Sequence, residues 1–212
     1  MYILNKVMVK MYLNPNSPIP LIEFNNFFTP ELLALIKERP LLTREDGMYP
    51  RGQDVTDANG KIRITQWGYP HWEKPFCDKD PVMKYMSDIF LGEYLPQIEK
   101  LLNKTILFEE ARGILQMTHP GVVYEPHTDM HQKVGTFLIY IAPKQSDGTI
   151  FHKTHDLDPY TREHITTGDW EQPWEVNKGY FFLRDDYSWH SYRNTHGENR
   201  YVFMYNLINP VR

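Results

Sequence analysis

The segment His127-Thr128-Asp129 is the part of the sequence whose residue types and spacing most clearly suggest chemistry. In an extended chain, residues two apart point to the same side, so both side chains could bind one metal ion. His190 follows the strand-like run GYFFLRD and is the candidate third ligand. Two histidines and one carboxylate on one face of an octahedron leave three positions open for reacting ligands.

A His-x-Asp pair alone is weak evidence, because the chain has nine histidines. The alternative is a surface histidine beside a capping or turn aspartate. Arg200, ten residues after His190, supports a binding site. Its guanidinium is permanently charged and can hold a carboxylate through two parallel hydrogen bonds, although a strand-end arginine can also bridge a surface acid. Alternation along RYVFMYNLI predicts that Arg200, Val202 and Met204 share one face.

The elements that must position these residues are strands in the second half of the chain. The runs ARGILQM, VGTFLIYIA, GTIF, GYFFLRD and NRYVFMYNLI are rich in β-branched and aromatic residues and are separated by turn residues. Capping residues and prolines in the first half of the sequence predict two helices. One begins at Thr29-Pro30, and the other begins near Asp80-Pro81 and is interrupted at Gly92 and Pro96. The turn-rich residues 43–62 predict a long surface loop.

The predicted fold class is α+β, with a double-stranded β-helix (jelly-roll, cupin-like) core braced by N-terminal helices. We expect one domain over residues 1–212. Residues 1–104 would form a helical support region with loops, and residues 105–210 the jelly-roll core. Residues 152–176 would be an insertion that acts as a lid or binding loop, or that covers a sheet edge.

The composition narrows the classes of partner. A net charge of −4 and a pI near 6.1 make nucleic acid an unfavourable binding partner, because its phosphates are also negatively charged. No apolar run approaches 18 residues, so we expect no membrane span. The N-terminal segment predicts an opening strand and not a signal peptide, and the single cysteine, Cys77, suits a reducing compartment. We therefore expect a cytoplasmic protein; the oligomeric state is left open.

The pattern His127-x-Asp129, His190 and Arg200 resembles the 2-oxoglutarate/Fe(II) dioxygenase superfamily, most closely its prolyl-4-hydroxylase-like branch. The resemblance covers roughly residues 105–210 and extends to four further segments in the family's order. These are MTHPGVVYEPHTD, TFLIYIAP, GTIF with Asp147 in place of the family's first glycine, and NKGYFFLRDDYSWHSYR.

The resemblance implies roles for seven residues. His127, Asp129 and His190 would hold Fe(II). Arg200 and Tyr140 would bind the distal carboxylate of 2-oxoglutarate, with Thr136 on the same strand face. The last, His119, lies where prolyl hydroxylases usually carry a tyrosine near the co-substrate, and would be a further contact or part of the pocket wall.

The implied reaction uses O2 and couples decarboxylation of 2-oxoglutarate to succinate with hydroxylation of a peptidyl residue, proline being the family's case. One alternative is the same chemistry on a free amino acid or other small metabolite. Another is a cupin-like metal-binding module without oxygenase activity. The acidic pI weighs against repair of alkylated bases. The candidate pocket walls are Leu115, Met117, Tyr124, Phe151 and Trp189, and the histidines at 131, 152, 155, 164 and 196 are interpreted as loop residues.

Overall fold

The computed structural model describes residues 10–38, 80–158 and 164–209, together with the backbone of four short strands at 49–51, 54–56, 62–64 and 71–75. Along the chain the strands are β1 (Lys10–Leu13), β2 (Leu21–Asn25), β3 (Tyr49–Arg51), β4 (Asp54–Thr56), β5 (Ile62–Ile64), β6 (His71–Pro75), β7 (Glu110–Thr118), β8 (Val122–His127), β9 (Lys133–Ala142), β10 (Thr149–Phe151), β11 (Thr154–Leu157), β12 (His164–Thr167), β13 (Trp170–Glu171), β14 (Gly179–Leu183), β15 (His190–Arg193) and β16 (Arg200–Ile208). The five strand-like runs of the second half are thus confirmed as β7, β9, β10, β14 and β16.

Two sheets form the core. The major sheet has the order β1-β2-β14-β9-β16-β7-β6-β3, and the minor sheet has the order β13-β10-β15-β8-β5-β4. The long central strands of the major sheet are antiparallel, and β16 pairs with β7 on one side and β9 on the other. Side chains on one face of these strands point toward the minor sheet, while those on the other face point toward the helices.

The first half of the chain contributes strands to both sheets, which differs from the expectation of an opening strand followed by helices and loops. In the major sheet, β2 pairs with β14 and β6 pairs with β7. In the minor sheet, β5 pairs with β8 in parallel. The segment 43–62, expected to be one long loop, contains β3, β4 and the beginning of β5. Residues 1–9 of the expected opening strand, and Cys77, lie outside the described residues.

Helices cover the outer face of the major sheet. Helix α1 (Pro30–Lys37) begins where the Thr29 side chain accepts a hydrogen bond from the backbone N–H of Leu32. Helix α2 (Pro81–Tyr85), a π-helical segment (Met86–Tyr94) and helix α3 (Leu95–Leu102) follow one another without a break, so Gly92 and Pro96 do not interrupt the helix. Within the π-helical segment, Phe90 stacks on Phe137 of β9 at 4.5 Å between ring centroids.

The space between the two sheets is partly filled by a second, smaller apolar cluster that includes Tyr140, Phe151 and Tyr180. The remainder is a cavity. Strands β11 and β12 form a separate two-stranded hairpin within the expected insertion. None of the helices in the described part of the chain is long and apolar enough to cross a lipid bilayer.

Candidate functional site

The three predicted metal ligands meet at the minor sheet. His127 ends β8, His190 begins β15, and the two residues face each other in the strand register. Their rings lie 4.3 Å apart between centroids. Asp129 follows two residues after His127, and one ligand atom from each of the three side chains lies within 4.8 Å of the others. The structure therefore brings His127, Asp129 and His190 together as the sequence predicts.

Each histidine is oriented by a hydrogen bond to the backbone. His127 Nδ1 lies 2.9 Å from the carbonyl oxygen of Glu125, and His190 Nδ1 lies 2.9 Å from that of Ser188. Because a carbonyl only accepts, both Nδ1 atoms must carry the proton and donate it. This leaves each Nε2 with a lone pair, which is the tautomer that a metal-binding histidine needs.

Burial keeps these imidazoles neutral. Burial, together with the neighbouring His190, lowers the pKa of His127 to about 3. Burial also lowers the pKa of His190 below its ordinary value. A neutral imidazole can bind a cation without first losing a proton, so the two rings are in the right state for a metal ion near neutral pH.

The Asp129 carboxylate is held from two sides. Lys133 donates to its Oδ1 at 2.7 Å, and the Thr136 hydroxyl donates to its Oδ2 at 2.8 Å. Burial alone would raise the pKa of this carboxyl, but the hydrogen-bonded ammonium of Lys133 leads the opposing effects, so the pKa is lowered. The aspartate is thus ionised, which is the state that a metal-binding carboxylate needs. Two imidazoles and one carboxylate on one side of an ion fit ferrous iron with open positions.

A cavity of about 410 Å³ lies between the sheets and reaches all three ligands. Its floor is the interior face of the major sheet, and its roof comes from β8, β15 and the loop that follows His127. The lining combines apolar and polar side chains: Ile114, Leu138, Phe182 and Met204 on one hand, and Arg112, Gln116, Lys133, Thr136 and Asn206 on the other. A site of this size and mixed lining is typical of a small-molecule pocket.

Arg200 is buried close to this cavity, with 1% of its surface exposed. Its Nε donates to the Asp147 carbonyl at 3.2 Å, and Nη2 donates to Thr149 Oγ1 at 3.4 Å. Thr149 lines the cavity, whereas Arg200 lies behind it. The aromatic rings of Tyr140, Trp174 and Tyr192 surround the guanidinium at 4.8–5.7 Å.

Two buried polar atoms here lack hydrogen-bond partners among the described residues: Arg200 Nη1 and Thr118 Oγ1. Arg200 and Thr118 face each other in the register of β16 and β7, so their side chains lie on the same face. An unpaired buried donor is costly, and a carboxylate is the group that a guanidinium nitrogen binds most strongly. The donor set therefore fits one end of a dicarboxylate.

The other residues predicted near the co-substrate, Tyr140, Thr136 and His119, differ in where their side chains lie relative to the cavity. Tyr140 is buried near Arg200, and its hydroxyl accepts from the Thr149 N–H at 2.9 Å. Burial raises its pKa, so the phenol is protonated.

Thr136 lines the cavity, but its hydroxyl donates a hydrogen bond to the carboxylate of Asp129. His119 is not among the cavity-lining residues in the described part of the chain; its Nδ1 lies 3.2 Å from Asn199 Oδ1. The position that faces inward is Thr118.

Five residues were predicted to line the pocket, and of these only Tyr124 is among the described residues that line the cavity. Leu115 packs in the core on the helix side, and alternation along β7 places Met117 on that same side. Phe151 belongs to the apolar cluster between the sheets, and Trp189 stacks on His155 at 4.0 Å. The β7 residues that do line the cavity are Arg112, Ile114 and Gln116.

Some histidines expected in loops have defined partners. His152 is buried, with Nδ1 2.8 Å from Asp169 and Nε2 2.9 Å from Ser191. His155 and His164 pair across the β11–β12 hairpin, with Nε2 of the first 2.7 Å from Nδ1 of the second. Neither arrangement includes a metal ligand of the cavity.

Comparison with solved structures identifies the fold. A Pseudomonas putida prolyl-4-hydroxylase is similar with a TM-score of 0.58 and 13% identity, over 89% of this chain and 92% of that one. The viral collagen prolyl hydroxylase of Paramecium bursaria Chlorella virus-1, solved with 2-oxoglutarate, has a TM-score of 0.53 and 11% identity, covering 90% and 96%. The carbocyclase SnoK of nogalamycin biosynthesis has a TM-score of 0.58 and 11% identity, covering 89% and 79%.

These likenesses show that the chain has the double-stranded β-helix fold shared by 2-oxoglutarate-dependent oxygenases, as the sequence predicts. No protein-family model matches the sequence, and comparison with curated proteins gives no match.

Proposed function

We propose that this protein is an Fe(II)- and 2-oxoglutarate-dependent dioxygenase that hydroxylates its substrate. The observation that carries the proposal is the combination of a His-Asp-His metal site with a buried guanidinium whose Nη1 is unpaired, both within one fold of the oxygenase type. Arginines that merely stabilise a fold are normally fully paired when buried, so the open nitrogen supports a ligand role.

His127, Asp129 and His190 would hold the iron, and Arg200 would bind the far carboxylate of 2-oxoglutarate, with Thr118 beside it. The bound metal and co-substrate supply the redox chemistry: O2 takes two electrons from a substrate C–H bond and two from 2-oxoglutarate, giving the alcohol, succinate and CO2. The protein residues contribute positioning. The backbone-anchored imidazoles would fix the ligand geometry, and Leu138, Phe182 and Met204 would give the cavity an apolar wall beside the metal site.

The test is succinate release by purified protein supplied with Fe(II) and 2-oxoglutarate. Asp129→Ala and His190→Ala should abolish it without unfolding the protein, since each removes one metal ligand. His196→Ala is the matched control, because this partly exposed histidine lies outside the cavity lining and should be replaceable. Circular dichroism checks that the variants are folded. Full activity in either metal-ligand variant would overturn the proposal.

Two substrate classes have support among the structural neighbours. A prolyl hydroxylase from Trichoplax adhaerens was solved with a hypoxia-inducible-factor peptide fragment, and the epimerase SnoN was solved with Fe3+, α-ketoglutarate and a nogalamycin compound. Hydroxylation of a peptidyl residue such as proline is the activity that the sequence resemblance favours. The cavity, near the lower end of the volume range for small-molecule pockets, favours a small substrate.

A non-catalytic metal-binding module is separated from the oxygenase by one measurement. A module that has kept only the metal site would bind Fe(II) but gain no thermal stability from 2-oxoglutarate. The oxygenase should gain stability from 2-oxoglutarate in the presence of Mn(II), because ligand that binds only the folded state raises the melting temperature.

A further inference from the structure

The residue that fixes the orientation of Arg200 lies outside the seven residues to which the sequence resemblance assigns a role. We infer that Asp147 is a positioning residue for the co-substrate end of the site. Its main-chain carbonyl orients the Arg200 guanidinium, and its carboxylate, held by Thr195, keeps that carbonyl in place. This inference rests on the proposed function, in which Arg200 binds 2-oxoglutarate. It adds no chemical step, because Asp147 acts only through Arg200.

Two hydrogen bonds set the plane of the Arg200 guanidinium. Its Nε donates to the Asp147 carbonyl at 3.2 Å, and its Nη2 donates to Thr149 Oγ1 at 3.4 Å. Because the guanidinium is rigid and planar, fixing two of its nitrogens also fixes the third. The third is Nη1, the buried nitrogen that has no partner among the described residues. The direction in which Nη1 can bind a carboxylate therefore depends on where Asp147 and Thr149 hold their oxygens.

The carbonyl of Asp147 must itself be held firmly for this to work. Both hydrogen bonds to the guanidinium are long, so they orient it well only if their acceptors do not move. The aromatic rings around the guanidinium attract its charge but offer no directed acceptor. What anchors Asp147 therefore decides how well Arg200 is oriented.

The Asp147 carboxylate is anchored to the loop between β15 and β16. Its Oδ2 accepts from the backbone N–H of Thr195 at 2.6 Å and from the Thr195 hydroxyl at 2.8 Å. Arg193 Nε and His196 Nε2 lie 3.9 and 4.0 Å from Oδ1, too far for hydrogen bonds, so Thr195 is the anchor. With its Oδ2 directed at Thr195, Asp147 presents its carbonyl and not this oxygen to Arg200.

The backbone that follows Asp147 is held by β13. The Gln172 N–H donates to the Thr149 carbonyl at 2.9 Å. A Cβ on Gly148 would lie 1.7 Å from the Gln172 carbonyl oxygen, so the two backbones are in direct contact here. The contact with β13 and the hydrogen bonds to Thr195 together leave the Asp147 carbonyl little freedom to move.

The experiment measures the affinity of Mn(II)-loaded protein for two 2-oxo acids. 2-Oxoglutarate and 2-oxobutyrate offer the same metal-chelating end, but only the first carries a distal carboxylate. The rise in melting temperature during titration gives an apparent Kd for each ligand. Asp147→Ala should weaken 2-oxoglutarate about tenfold, the equivalent of one hydrogen bond, and leave 2-oxobutyrate within about twofold of the wild type. A general loss of structure would weaken both ligands.

Thr195 provides a second test that does not depend on how well Asp147→Ala folds. Thr195→Val keeps the shape of the side chain but loses the hydroxyl donor, and it should weaken 2-oxoglutarate about threefold. Thr195→Ser keeps the donor and should restore the wild-type affinity. Asp156→Ala removes an exposed carboxylate on the β11–β12 hairpin; it is the matched control for Asp147→Ala and should change neither affinity.

A double variant shows whether Asp147 acts through Arg200. In the Arg200→Ala background, Asp147→Ala should weaken 2-oxoglutarate no further, because the residue that Asp147 positions is already gone. The same loss of affinity from Asp147→Ala with and without Arg200 would overturn the inference.

Two kinds of failure are distinguishable. If the wild type binds Mn(II) but not 2-oxoglutarate, the proposed function is wrong and the role of Asp147 falls with it. If 2-oxoglutarate binds, but Asp147→Ala and Thr195→Val leave its affinity unchanged or weaken both 2-oxo acids equally, the positioning role is overturned and the oxygenase proposal stands.

Discussion

At the residue scale, Thr136 links the metal site to the sheet beneath it. Its hydroxyl donates to Asp129 Oδ2 at 2.8 Å, and the Asn206 oxygen lies 3.4 Å from the same hydroxyl. Groups that orient a metal ligand in this way typically change metal affinity by ten- to a hundredfold. The hydroxyl therefore acts on the metal through Asp129.

We expect Thr136→Val to weaken Mn(II) binding by about ten- to a hundredfold, because the carboxylate loses one of its two fixed donors. Calorimetric titration measures the change. Thr167→Val is the control, since Thr167 pairs with Thr154 on the exposed hairpin and should leave metal binding unaltered. Equal affinity in Thr136→Val and wild type would show that Lys133 alone positions the ligand.

Arg200 is the second residue with a direct test. Arg200→Ala should raise the 2-oxoglutarate requirement by an amount equivalent to about 2–5 kcal/mol, because it removes one partner of a buried charged pair. The measurement is the 2-oxoglutarate KM for succinate release. Arg193→Ala removes an exposed arginine that pairs with Glu171 and should have little effect. A KM unaffected by loss of Arg200 would remove the co-substrate assignment.

The grouping of His127, Asp129 and His190 could be predicted from the sequence, because a His-x-Asp pair and a distal histidine occur together with Arg200 in the order of the oxygenase family, and the structure brings the three side chains together. The cavity walls could not be predicted in this way. Strand β7 alternates between a largely polar face, with Arg112 and Gln116, and an apolar face, with Leu115 and Met117, but the sequence does not show that the cavity lies on the polar face and the helices on the apolar one. Choosing Leu115 and Met117 instead of Ile114 and Gln116 shifts the register by one residue and exchanges the two faces. The same shift made His119, and not Thr118, the inward candidate.

At the element scale, strand β2 joins β1 to the rest of the major sheet through a buried carboxylate. Glu23 accepts from Tyr12 at 2.6 Å and from Asn14, and Lys178 lies 3.0 Å away. Burial alone would raise the pKa of Glu23, but Tyr12 and Lys178 outweigh it, so the pKa is lowered. Burial and Glu23 together raise the pKa of Tyr12 to about 12, so the phenol remains a donor.

A carboxyl whose pKa is lowered by folding stabilises the protein above its unfolded pKa of about 4.3, and this contribution is lost as pH falls through the folded value. Glu23→Gln should therefore cost about 1.5–3 kcal/mol near neutral pH, and the difference from wild type should shrink below about pH 4.3. Urea unfolding at several pH values measures it. Asp88→Asn, which breaks the exposed pair with Lys84, should cost under about 0.5 kcal/mol. A difference in the free energy of unfolding between wild type and Glu23→Gln that does not change with pH would contradict the pairing of an ionised Glu23 with Lys178.

The π-helical segment anchors the helices to the sheet through Phe90. Its ring is buried and stacks on Phe137 of β9. Phe90→Ala should lower the free energy of unfolding by about 3–5 kcal/mol, as expected for a large aromatic removed from a core. Leu101→Ala, at a half-exposed position on α3, is the matched control and should cost far less. A similar decrease in the free energy of unfolding for Phe90→Ala and Leu101→Ala would mean that Phe90 does not anchor the helices to the major sheet.

Elements with a strong local pattern were predictable, and those that depend on distant pairing were not. The helix at Thr29-Pro30 and the five runs of the second half carry local caps or periodicity. The short strands β3, β4 and β5 lie in polar, turn-rich sequence. Strands β4 and β5 pair with each other, and they join the minor sheet through the parallel pairing of β5 with β8, far along the chain. The hairpin β11–β12 is likewise polar, so it resembled a loop.

At the scale of the whole molecule, the site depends on both sheets at once. The three predicted metal ligands lie in the minor sheet and the loop after β8, whereas Arg200, Thr118, Thr136 and Asn206 lie in the major sheet. A metal ion bound with 2-oxoglutarate would therefore connect the two sheets. For this reason, the metal and 2-oxoglutarate together should stabilise the fold more than either of them added alone. These groups would thus form one binding site.

The most direct test is an anaerobic titration of the metal-free protein with Fe(II), then with 2-oxoglutarate, followed by visible absorption. Ferrous iron chelated by a 2-oxo acid gives a charge-transfer band that neither component shows alone. We predict that the band develops with the wild type, is absent with His190→Ala, and requires much more 2-oxoglutarate with Arg200→Ala. No band with the wild type, or an unchanged band in His190→Ala, would contradict the proposed site.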